Sequence, residues 1–88
     1  MEMKFKHYSD PSHGWVAVKR KLIVELGLLN AISPYSYQKG GTVYLEEDCD
    51  AYKVLDKLNF LGVKVKVDIK EQSERSSPIR SYDRFSVA

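Results

Sequence analysis

The sequence predicts an α+β fold of the ferredoxin-like kind, a βαββαβ chain with an antiparallel sheet and two helices on one of its faces. Three observations predict it. Residues 63–69, VKVKVDI, alternate cleanly and mark a half-buried strand. Residues 48–62, DCDAYKVLDKLNFLG, set Ala51, Val54, Leu55, Leu58 and Leu61 at helical spacing, with Lys53, Asp56, Lys57 and Asn59 on the opposite side. SPYSYQ (33–38) and TVYLE (42–46) flank a Lys39-Gly40-Gly41 link, the pattern of a β-hairpin.

The remaining elements follow in order. Residues 2–8, EMKFKHY, alternate only loosely, because Phe5 and Tyr8 differ in parity; they are a candidate extra N-terminal strand. SDPSHG (9–14) carries the turn chemistry of Asp10-Pro11 and Gly14. WVAV (15–18) has the β-branched and aromatic composition of a short strand. In 19–29 the period changes: Leu22, Ile23, Leu26 and Leu29 recur at helical spacing, and Gly27 should stop the helix nearby. Along 63–69, Val63, Val65, Val67 and Ile69 are expected to point inward. Right-handed crossovers would then order the four strands of 15–69 as 4-1-3-2. Residues 1–72 form one domain in this reading. Residues 73–88 are an Arg/aromatic C-terminal tail, folded back or binding a partner.

Composition bounds the function. The chain has 88 residues, 43% hydrophobic and 30% charged, the balance of one small globular domain with a thin core. No apolar run approaches the roughly 20 residues that span a bilayer. MEMKFKHYSDP has no apolar stretch of the secretory type, and one cysteine permits no internal disulfide. The expected location is a cytoplasm. A net charge of +2 is too weak to imply nucleic acid by itself.

YLEEDCDA (44–51) gathers four carboxylates and the only cysteine. A helix start explains them: Asp48 as N-cap and Asp50 in the first turn would meet unpaired amides and a partial positive charge. A Mg²⁺ or Ca²⁺ site needs convergent oxygens, and D-C-D lacks the Gly and distal Glu of a Ca²⁺ loop. No metal or cofactor is expected. Ser12, His13 and Asp10 share one loop, but a catalytic triad needs convergence that near neighbours seldom supply. His7, His13 and Cys49 do not have zinc-site spacing.

The sheet offers more. If Val16 and Val18 face the helices, Trp15 and Tyr44 face away, with Tyr35 or Tyr37 and with Lys64 and Lys66. That composition resembles a base-stacking platform. The aromatic and glycine pattern of an RNA-binding strand is missing from TVYLE, however. A bare aromatic patch is also unusual on a monomer, so strand 2–8, the tail through Ile79, Tyr82 and Phe85, or a second copy is expected to cover it. In the tail, Arg80 and Arg84 mix with Tyr82 and Phe85, the residue types that anchor interfaces. Folded back, either arginine would pair with the acids of 46–50.

DPSHGWVAVKRKLIVELGL, ISPYSYQKGGTVYLEEDCDA and RSSPIRSYDRF together resemble a group of small uncharacterised proteins encoded by tailed bacteriophages and prophages. The resemblance covers nearly the whole chain and transfers no catalytic residue. It implies a host-cell cytoplasmic setting and an accessory role in infection. The expected function is therefore non-enzymatic binding of a host or phage protein, through Trp15, Tyr37, Tyr44, Arg80, Tyr82 and Arg84. The alternative is RNA or single-stranded DNA on Lys64, Lys66, Trp15 and Tyr44. A small metal-dependent enzyme centred on His13 and the 46–50 acids ranks behind both. A homodimer is a candidate assembly, and no membrane partner is expected.

Overall fold

The computed structural model describes all 88 residues. It is an α+β fold with six strands and two helices. In chain order these are β1 (Glu2–Ser9), β2 (Gly14–Lys19), α1 (Arg20–Glu25), β3 (Tyr37–Lys39), β4 (Thr42–Glu46), α2 (Ala51–Phe60), β5 (Lys64–Gln72) and β6 (Asp83–Arg84). Single 3-10 turns lie at Leu29–Ala31 and Pro78–Ser81. No helix is long and apolar enough to cross a membrane.

The sheet order is β5-β1-β2-β4-β3-β6. This corrects the ferredoxin-like antiparallel sheet. The β2-β4-β3 part follows the expected order, but β1 takes the place beside β2 that the βαββαβ pattern gives to β5. β1 and β2 form a hairpin, with Lys6 opposite Ala17 and Ser9 opposite Gly14. Closing that short link costs little chain entropy, so the local pairing displaces the distant one. β5 then pairs with β1 in parallel, and the sheet is mixed. An inner strand has two used faces, which explains the poor parity of 2–8. Phe5 joins the helix-side core, while Tyr8 packs on the opposite face against Tyr44.

Val16, Val18, Val43 and Leu45 meet Ile23, Val54 and Leu58 in the main core. α2 supplies Ala51, Val54 and Leu58 at helical spacing and ends before Gly62, which sits at φ 84°. β5 outruns that helix layer. Val65 packs on the core, but Val67 and Ile69 are exposed, contrary to the inward reading of all four apolar residues. Strand β3 is also shorter than expected, because residues 33–36 form a turn.

The acidic stretch does start α2, but through a different residue. Asp50, not Asp48, holds the N-cap position, and its side chain caps no helix amide. Its buried carboxylate instead accepts from Ser33 Oγ (2.7 Å), Ser36 Oγ (2.5 Å), Ser33 N (3.1 Å) and Lys53 Nζ (2.9 Å). Burial raises the Asp50 carboxyl, but these donors outweigh it and hold it below the ordinary carboxylate range. The helix start is thus tied to the 33–36 turn, and Ser36 Oγ passes the link on to Glu46 N of β4.

Candidate functional site

Strand register arranges the outer face in rows across the sheet. Tyr8, Trp15 and Glu46 make one row. Lys6, Ala17, Tyr44, Tyr37 and Arg84 make the next. Lys66 beside Lys4, then Lys19, Thr42 and Lys39, make a third. Trp15 and Tyr44 lie on the face away from the helices as parity predicts, and of the two open alternatives it is Tyr37 that joins them.

The tail folds back over the aromatic rows. Trp15 is 1% exposed and Tyr37 8%, in one buried cluster with Ile79. The Trp15 and Tyr37 rings meet edge-on at 6.2 Å. Tyr44 lies between Tyr8 at 5.9 Å and Tyr82 at 5.2 Å. Burial, and then the two neighbouring phenols, push the Tyr44 hydroxyl pKa up. β6 completes the cover by pairing with β3, Tyr37 opposite Arg84.

Asp10 fastens this cover. Its carboxylate accepts from the backbone N–H groups of Ser12 and His13, closing the β1–β2 turn. It also accepts from Ser77 N (3.0 Å) and, at 2.5 and 3.0 Å, from Arg80 Nε and Nη2. The Arg80 guanidinium foremost, with those amides, holds the Asp10 carboxyl far below the usual range despite burial. Arg80 thus pairs with Asp10 rather than with the 46–50 acids, and Arg84 donates to the Pro34 carbonyl at 3.2 Å. The signal was Asp10 itself: read as a turn residue, it also receives a charge from 70 residues away.

Both arginines lie over rings, Arg80 over Trp15 at 5.6 Å and Arg84 over Tyr37 at 5.0 Å. Together with His13, Tyr35 and Glu46 they line a cleft of about 220 Å³. Four of the expected contact residues therefore share one site: Trp15 and Tyr37 as its floor, Arg80 and Arg84 as its polar wall. Tyr44 and Tyr82 line a separate shallow depression with Tyr8 and Ile79. The nucleic-acid set divides: Lys64 and Lys66 are exposed on β5, whereas Trp15 is covered by the tail.

Around His13 the chemistry is structural. His13 Nδ1 is 3.6 Å from Glu46, and Asp10 meets His13 through the backbone, not the ring. The acids diverge: Asp50 points inward, Glu47 contacts His7 at 3.0 Å, and Glu46 accepts from Asp48 N. No three His, Cys, Asp or Glu side chains converge as a metal would need. Burial first, then Glu46, Asp50 and Asp48, push the Cys49 thiol up, away from a reactive thiolate. No family model matches this sequence, and no curated protein or solved structure matches the chain.

Proposed function

We propose that this chain is a non-enzymatic binding protein that captures an acidic segment of a partner protein in the Arg80–Arg84 cleft. The resemblance to phage and prophage proteins sets the partner in an infected host cell. One observation carries the reading. Arg84 is exposed, lies over the Tyr37 ring and has no carboxylate within ion-pair distance, beside Tyr35, which is 63% exposed. Arginine and tyrosine dominate interface hot spots. Here the ring beneath Arg84 is already buried, so that ring has little side-chain entropy left to lose on binding.

The test is capture from nuclease-treated lysate of infected cells, with the tagged protein and two variants, Arg84→Glu and Tyr35→Ala. Both positions are exposed, so circular dichroism should be unchanged. A discrete stoichiometric protein is expected with the wild type, its recovery lowered about tenfold or more in each variant. Equal recovery with both variants would remove the cleft from the reading. Material that vanishes on nuclease treatment would remove the protein partner.

A further inference from the structure

The half of the outer face that the tail leaves open has a different character. Lys4, Lys6, Lys19, Lys64 and Lys66 lie there by strand parity, against the carboxylates Glu2 and Asp68, while Lys39 on the same face lies over the tail's Tyr82 ring at 4.7 Å. That surplus exceeds the +2 of the whole chain, so the rest of the molecule is net acidic. All five open lysines are exposed, and none takes part in an ion pair. Same-face neighbours along a strand are roughly 6.6 Å apart and adjacent strands about 4.8 Å, so the ammonium groups spring from a rigid grid.

A notch opens within this grid. β1 and β2 stop pairing at Lys6 and Ala17, although both strands run on. Continuing the register by two residues sets Lys4 beside Lys19 where the strands no longer bond. The opening is the largest cleft of the molecule, about 410 Å³, walled by Phe5, Val18 and Leu22 and rimmed by Lys4, Lys6 and Lys19. An apolar slot ringed by cations suits a flat, weakly polar group attached to an anionic backbone.

We infer that this lysine face is a second binding site, for single-stranded nucleic acid, with phosphates on the lysines and an unstacked base in the notch. The polyanion is matched by the grid of unpaired charges. A single strand is selected because a base held in a duplex cannot enter the slot. The site is separate from the Arg80–Arg84 cleft, since the two share no lining residue.

The experiment is fluorescence anisotropy with a labelled single strand of about 12 nucleotides, its duplex, and a polyglutamate of equal charge. At about 50 mM salt the single strand should bind best, and its affinity should fall with salt at a log–log slope of about −3, as four or five neutralised phosphates require. Lys4→Glu with Lys66→Glu should lower affinity at least about tenfold. Ala17→Phe or Thr42→Phe, which crowd the notch, should weaken the single strand more than the duplex. Absence of binding at low salt, or a duplex bound as tightly as the single strand, would overturn the inference. Equal competition by polyglutamate would do so too, and would assign the face to an acidic protein.

Discussion

The carboxylate of Asp10 accepts five hydrogen bonds from the 12–13 turn, Ser77 and Arg80. Its side chain is 1% exposed, so exchanging one carboxylate oxygen for an NH2 group removes the charge that answers Arg80 and sets a donor against donors in a dry place. Asp10→Asn should therefore destabilise the chain by about 3 kcal/mol, the usual cost of breaking a buried pair from one side. Urea unfolding followed by the emission of Trp15, the single tryptophan, measures it; a loss under about 0.5 kcal/mol would class the pair with ordinary surface pairs. Gly14 shows a second, local constraint. A Cβ there would press on the Glu47 carboxylate and on His7 Nε2 and would part those two side chains. Neither role is legible in SDPSHG, whose letters announce a turn and not the segment that the turn receives.

At the scale of elements, local patterns read well and pairings read poorly. The spacing in α2, the alternation of 63–65 and the parity of β2 and β4 each carry their own periodicity, and all appear in the structure. The position of β1 between β5 and β2 does not, because nothing within 2–9 states which neighbour wins. The tail is the sharpest case. SPIRSYDRF shows no period, yet Ile79 is 3% exposed and Phe85 5%, each buried by a different core cluster. Placing Asp at Ile79 puts an unpaired charge against Trp15 and Tyr37. Ile79→Asp should release residues 73–88, shift Trp15 emission to the red and open the tail to protease, at a cost of about 3 kcal/mol or more. Far-ultraviolet circular dichroism should stay near the wild type, since α1 and α2 pack on the other face. A blue, protease-resistant variant would show that Asp10, Phe85 and β6 pairing hold the tail without Ile79.

Over the whole molecule, two buried carboxylates join segments distant in sequence: Asp10 fastens the tail to the sheet, and Asp50 fastens the start of α2 to the 33–36 turn. Both are held below their ordinary range in the folded chain, whereas in the unfolded chain each returns to about 3.9. The sign follows. Above about pH 5 both states are ionised and the stabilisation is complete. As pH falls below about 4 the unfolded chain takes up protons that the folded chain refuses, so the contribution of these two carboxyls is lost on the acid side. Each such carboxyl contributes a limiting slope of about 1.4 kcal/mol per pH unit. The unfolding free energy, measured in urea from pH 7 to about 2.5, should be level to about pH 5 and then descend. In Asp10→Asn the starting value should be lower but the descent shallower by about one proton, because that site no longer titrates. Parallel descents in the two proteins would mean that Asp10 is not held ionised by Arg80, and the tail would then need another fastening.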